Sequence, residues 1–229
     1  MKTFKNISII GTSHISPESI KEVTKKITEI KPEIIALELD KKRYSSLLSK
    51  TRKLKFSDIK SLGFKGFLFN LIGAWIEKKL GKYTGVAPGS EMKTAIKLAK
   101  KIKARIALID QDIQITIKRL MKEITWKEKF TFIKEIFTSL FSKKNKIKFD
   151  LKKVPSQKLV NKLLKKIKKS YPSFYKILVK DRNKVLAKNL YNLSILYPNK
   201  KILAIIGAGH EKQVLGELKL NFKKKKLTH

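Results

Sequence analysis

The apolar positions of this chain fall into short β-branched runs separated by longer stretches with helical spacing. Phe4 to Ile10 alternates and then runs apolar, which predicts a buried strand. Ser16-Pro17-Glu18 follows as a helix start: the serine caps, the proline fits the first turn, and the acid faces the positive end of the dipole. Ile20, Val23, Ile27 and Ile30 mark one face of that helix, Pro32 ends it, and "EIIALELD" at 33–40 predicts a second strand. Ser90 is the expected cap of a helix that buries Met92, Ala95, Ile96, Ala99 and Ile102. "ARIALIDQD" at 104–112 predicts a third strand, with Asp112 capping the helix behind it. "KKILAII" at 200–206 predicts a fourth, before a short helix. Strand–helix–strand order implies right-handed crossovers and parallel pairing.

Two stretches do not belong to that alternation. Residues 55–79 read as helical and carry Phe64, Phe67, Phe69 and Trp75. Residues 126–197 read as mostly helical, with Phe130, Ile133, Ile136, Phe137, Leu140 and Phe141 as an apolar stripe expected to pack into the core. A charged connector at 143–156 is the expected mobile loop. The fold class is therefore α/β: a mostly parallel central sheet flanked by helices, with a helical insertion or lid. A single domain is expected over 1–222, with insertions near 55–88 and 126–197 and a basic tail at 223–229.

Composition narrows the possibilities. With 229 residues and 42% hydrophobic content the chain can bury a core, and without cysteine it has neither disulfides nor thiolate metal sites. No stretch reaches the roughly 18–20 apolar residues of a membrane span, so the expected location is cytoplasmic. The formal charge of +37 points toward nucleic acid. Yet lysine is spread along most helices without interleaved aromatics, so non-specific nucleic-acid binding is expected rather than a nucleic-acid function. Lys223–Lys226 is the segment suited to an anionic membrane surface. Only five of the 55 basic residues are arginine, so each is a candidate for work that needs a planar guanidinium.

The candidate chemistry lies at the strand ends. "GTSH" at Gly11–His14 and "GAGH" at Gly207–His210 share one spacing and contain two of only three histidines. Glu38, Asp40, Asp110 and Asp112 end the second and third strands. All converge on the C-terminal edge of a parallel sheet, where open α/β folds bind ligands. Two histidines and several carboxylates together, Asp110 among them, suit a divalent ion such as manganese, cobalt or zinc. Without metal, a histidine there suits general-base work. Gly11, Gly207 and Gly209 are expected to let a ligand approach backbone. Glu91 is read as a site residue or a helix-start acid, Glu38 as a ligand or a partner of Arg43, and Arg119 and Arg182 as surface residues or as neutralisers of an acidic cleft. "GAGHEK" lacks the third glycine of a dinucleotide loop, and His210-Glu211 does not continue into a helical zinc-protease motif.

"GTSHISPES", "IIALELDKKRY", "GVAPGSEM", "ALIDQDIQITIKR" and "AIIGAGHEKQVLGEL", in this order, resemble the TraB/PrgY family of pheromone-shutdown proteins. The resemblance runs from about Ile9 to Leu218. It implies kinship with the Tiki, GumN and ChaN-like or erythromycin-esterase-like group, and a fold of that type. It also implies metal-dependent peptidase chemistry at His14, His210 and Glu38, with Arg43 beside them and Asp110 and Arg119 in a shared segment. Gln111 stands where the family carries arginine, and Lys180-Asp181-Arg182 replaces its Glu-Arg-Asp. The expected function is metal-dependent hydrolysis of peptides, the alternative being a protein that sequesters a peptide uncut. Many relatives continue into C-terminal membrane helices, and membrane association is the expectation if this chain does so too.

Overall fold

The computed structural model describes residues 1–14, 16–49, 86–141, 154 and 156–226. The expected helix over 55–79 lies outside them, as does most of the connector at 143–156; so do the side chains at 133 and 136–141. Five strands form one sheet: β1 (Lys2–Phe4), β2 (Ile7–Thr12), β3 (Ile34–Leu37), β4 (Arg105–Leu108) and β5 (Ile202–Gly207). Their order is β1-β2-β5-β3-β4. Only the β1–β2 pair is antiparallel; β2–β5, β5–β3 and β3–β4 all run parallel. The mostly parallel sheet agrees with the sequence. The first strand does not: the run from Phe4 to Ile10 is broken by a turn at Lys5-Asn6, where Lys5 takes φ +52°. That turn folds three residues back as an antiparallel edge.

Strand alternation sends side chains to two helical layers. On one face Ile7, Ile9, Ile34, Ala36, Ala204 and Ile206 pack against Leu186, Ala187 and Leu190 and against Val214 and Leu218. These belong to α8 (Arg182–Leu196) and α9 (Glu211–Lys226). On the other face Ile10, Ile35, Leu37, Leu203 and Ile205 meet α1 (Pro17–Ile30) and α3 (Ser90–Lys101). Burying each such aliphatic side chain is worth roughly 1.5–3 kcal/mol, so the sheet holds its shape whatever happens at its edge.

The remaining described helices are α2 (Lys41–Leu48), α4 (Ile113–Glu123), α5 (Trp126–Phe141), α6 (Gln157–Ser170) and α7 (Pro172–Tyr175). A π-helical segment, Lys176–Asp181, joins α7 to α8. Phe130, expected in the core, is 66% exposed and lies against the Trp126 ring. Ile102 ends the buried face of α3 at 39% exposure. Lys223–Lys226 continue α9 rather than leaving it as a tail. No helix among the described residues is long and apolar enough to cross a membrane.

Three caps fix the edge where candidate residues lie. Ser16 accepts the Glu18 N–H and Asp112 the Gln114 N–H, as the sequence indicates. Asp40 Oδ1 accepts from Lys42 and Arg43 and so starts α2 immediately after β3. At α3 the cap is Gly89 rather than Ser90, whose hydroxyl instead donates to the Ala87 carbonyl. Gly89 sits at φ +79° and donates its N–H to the His14 carbonyl at 3.1 Å, tying the α3 start to the first histidine turn. A Cβ there would stand 3.0 Å from Leu47 Cδ2. Gly89→Ala should therefore cost about 1–2 kcal/mol from the left-handed backbone alone. In urea unfolding, an accompanying Leu47→Ala should relieve only the contact and leave that backbone cost in place.

Candidate functional site

Across the sheet edge, β2, β5, β3 and β4 lead into His14, His210, Glu38 and Asp110 in that spatial order. The two Gly-x-x-His turns are neighbours because β2 and β5 pair through to Thr12 and Gly207. The Ala208 N–H then donates to the Thr12 carbonyl at 2.9 Å. Gly11 serves this contact: a Cβ on it would lie 3.0 Å from Ala208 Cα and from Glu211 Oε2. Packing between the two turns therefore favours a glycine here. Gly209 faces open space, with nothing within 4 Å of a Cβ position.

Glu38 is the most connected group at this edge and is 2% exposed. Its Oε2 accepts the Gly207 N–H at 2.6 Å, and its Oε1 accepts from Arg182 Nη2 at 2.6 Å. His210 Nε2 lies 3.4 Å from the same Oε1. Arg182 also embraces Asp110, from Nε at 3.2 Å and Nη2 at 2.6 Å. Arg43 adds a contact to Asp110 at 3.5 Å and a long bond to the Glu38 carbonyl, also 3.5 Å. The carboxylate of Glu38 is thus answered by Arg182, not Arg43. Asp110 is paired with two guanidiniums.

The two imidazoles are oriented by different partners. His14 Nδ1 bonds Glu91 Oε1 at 2.6 Å, and Glu91 is itself 1% exposed. His210 Nδ1 donates to Asn183 Oδ1 at 2.6 Å. Both arrangements leave Nε2 on the side of Gly207. A Cβ built on Gly207 would sit 3.5 Å from Glu38 Oε2, 3.6 Å from the His210 ring and 3.7 Å from His14 Nε2. The bare Cα of Gly207 therefore leaves one small space that all three functional groups border.

Charge at this edge opposes that of the chain. Glu38, Asp40, Glu91 and Asp110 are gathered here against Arg43 and Arg182, in a molecule of formal charge +37. Asp40 is buried, and its Oδ2 finds no hydrogen-bond partner among the described residues. Burial alone would raise the Glu38 pKa. The nearby His210, Arg182 and His14 charges and the Gly207 N–H overcome it and bring the group from 4.5 down to about 2. Burial likewise disfavours a charged His14, but its hydrogen bond to Glu91 and the Glu91 and Glu38 charges outweigh this and raise its pKa. For His210 burial prevails, aided by Arg182 and only partly offset by Glu38, and the pKa falls.

A divalent metal can be tested against these residues. Two nitrogens and a carboxylate are the right donor types, and both rings hold Nδ1 in an outer hydrogen bond, as metal-binding histidines do. His210 Nε2 and Glu38 Oε1, 3.4 Å apart, match the edge of a tetrahedron with bonds of about 2.1 Å. Among the described residues no three such side chains enclose an ion as they stand. The donor set fits in chemistry and along one edge, while His14 stands further out.

Arg119, read as a site candidate, touches none of these groups. It pairs with Glu123 at 2.8 Å and Asp181 at 2.7 Å. Asn183 was missed by the sequence reading. Its one signal was a polar residue in register with Leu186, Ala187 and Leu190 on a buried helical face.

The shifts fix a pH dependence for chelator-treated protein. Glu38 titrates lower folded than unfolded, so its contribution is complete above about 4.5 and lost as the pH falls toward about 2. His210, held neutral, removes stability in the same direction below 6.5, because the unfolded chain binds the proton more readily. His14 acts oppositely, stabilising below 6.5 and fading as the pH rises through its folded value. Glu38→Gln should cost about 1.5–3 kcal/mol near neutral pH, because it removes the charged acceptor of Arg182 and of the Gly207 N–H while Arg182 keeps Asp110. Its stability curve should also be flatter than wild type in acid; parallel curves would contradict the assignment.

The chain has relatives among known proteins. Residues 2–221 match the TraB/PrgY/gumN family. An uncharacterized protein of Methanocaldococcus jannaschii is 39% identical over 222 residues, covering 93% of this chain and 53% of that protein. A "TraB domain-containing protein" of Homo sapiens is 22% identical over 189 residues, covering 77% of this chain and 50% of that protein. Its Mus musculus counterpart matches to the same extent. The chain spans about half the length of these curated relatives. With nearly its whole length matched, both Gly-x-x-His turns included, the chain belongs to the TraB/PrgY/gumN family.

Proposed function

We propose that this chain is a metal-dependent hydrolase acting on peptides, with His14, His210 and Glu38 as the metal-binding groups. The observation that carries the reading is the orientation of the two rings. Each imidazole has its Nδ1 tied down, by Glu91 or Asn183, and its Nε2 left beside Gly207 and Glu38. A divalent ion bound there would supply a Lewis acid and a water of lowered pKa.

The chain's own residues supply orientation and charge. Gly207 N–H and Arg182 keep Glu38 ionised, so it acts as a fixed negative charge and ligand; so acidic a carboxyl is a poor proton acceptor near neutral pH. Arg182 and Arg43 balance Asp110, which would otherwise compete for a cation. His14 must give up a proton on metal binding, so affinity should weaken as the pH falls. The peptide as substrate rests on the family resemblance. The Arg182–Glu38 contact favours a second reading, in which this cleft holds a peptide without cutting it. A carboxylate already answered by a guanidinium is a weaker metal ligand.

Thermal unfolding of metal-stripped protein with manganese, cobalt or zinc separates the two. At one hundred times its dissociation constant an ion should stabilise the wild type by about 2.7 kcal/mol. The shift should vanish in His14→Ala and in His210→Ala, and the metal-loaded wild type should cleave peptides. No shift with any ion, or a shift kept in both variants, would contradict the metal-dependent reading.

A further inference from the structure

Arg182 and Asn183 are consecutive, yet they serve different strands. Arg182 binds the groups that follow β3 and β4, Glu38 and Asp110, while Asn183 binds His210 beyond β5. The first turn of α8 therefore spans three parallel strand ends. Directly before it the chain widens into the π-helical segment Lys176–Asp181. Such segments are uncommon and often lie at functional sites.

That segment is held from outside at several points. Glu123 of α4 binds Lys176, at its start, at 2.8 Å, and Arg119 binds Asp181, at its end, at 2.7 Å. Arg119 and Glu123 are themselves paired at 2.8 Å, which joins the two contacts. Upstream, Glu128 accepts the N–H groups of Ser173 and Phe174 at the start of α7. Exposed ion pairs are individually weak. Linked in this way they fix a direction more than they add stability.

Beyond Asn183 the hydrogen bonds run with one polarity. Asn183 Nδ2 donates to Gln213 Oε1, and Gln213 Nε2 donates to the Tyr175 hydroxyl at 3.3 Å. With its amide N–H group committed to Gln213, Asn183 presents its oxygen to His210. An oxygen can only accept, so this orientation of the amide puts the proton on His210 Nδ1 and, in the neutral ring, the lone pair on Nε2.

We infer that Asn183 is a positioning residue that holds His210 in its Nδ1–H tautomer, and that the π-helical segment clamped by Arg119 and Glu123 holds Asn183 in place. The inference deepens the proposed function and rests on that reading only in taking His210 as a functional group. Arg119 then acts on the site through the backbone rather than through a substrate.

Imidazole nitrogen chemical shifts, measured by NMR on metal-free protein above neutral pH, test this directly, since the chain has only three histidines. Wild-type His210 should appear as a single Nδ1–H tautomer. Asn183→Leu should convert it to a mixture or to the Nε2–H form and leave His14 unchanged; Asn183→Ala gives the same reading if the leucine variant does not fold. Asn183→Asp, which keeps an acceptor at the same reach, should retain the wild-type tautomer. Arg119→Ala, touching neither ring, should move His210 part of the way and spare His14. A mixed tautomer in wild type would overturn the inference, as would a His210 signal indifferent to the leucine or alanine change at Asn183 or to Arg119→Ala. Because no metal is present, such a failure leaves the ion-dependent shift standing, and a failed ion scan leaves the tautomer result standing.

Discussion

One buried carboxylate organises the edge of this molecule. Glu38 directly follows β3, an inner strand of the four parallel ones, and three separate parts of the chain come to it: the Gly207 turn, the Arg182 helix start and the His210 ring. A lone carboxylate at 2% exposure would be driven to neutralise; here it is stabilised as an anion. Such a group sets strict terms for its surroundings. The chain after it must turn at once, which Asp40 arranges by capping α2, and the opposite turn must offer a backbone N–H, which Gly207 does.

The two histidines illustrate how like sequences acquire unlike environments. Both follow a glycine by three residues and both leave parallel, hydrogen-bonded strands. One is answered by a buried acid and the other by a buried amide. The first partner favours the protonated ring, and the second leaves burial to disfavour it. The pair therefore offers one proton-retaining and one proton-shedding group side by side, a division that the matched motifs alone do not contain. It also shows why a chain of formal charge +37 can keep an acidic pocket: the carboxylates are held by local arginines and backbone N–H groups, whereas the lysines among the described residues are mostly exposed.

Much of this was legible in the sequence. Four parallel strands, the caps at Ser16 and Asp112, and the convergence of His14, Glu38, Asp110 and His210 follow from periodicity and from the rule that places sites at strand C-termini. Arginine scarcity was a sound guide at Arg182 and Arg43, both of which face buried carboxylates. What escaped depended on details that periodicity does not encode. A lysine in the left-handed region breaks the first strand, and lysine carries no turn signal of its own. Gly89 displaces Ser90 as cap because the chain must also meet the His14 carbonyl. Asn183 escaped because an asparagine within a helical stretch reads as an ordinary polar position. Phe130 misled, since helical spacing reveals a face but not whether anything covers it.

The central claim is that Glu38 and Arg182 act as one unit. A double-mutant cycle with Glu38→Gln, Arg182→Met and the pair, read by denaturant unfolding of metal-free protein near neutral pH, measures it most directly. The account predicts that each single change is destabilising, while the double change costs much less than their sum, leaving a coupling of at least about 2 kcal/mol. Additivity within about 0.5 kcal/mol would mean that the two groups are merely neighbours, and the organising role given to Glu38 would fall.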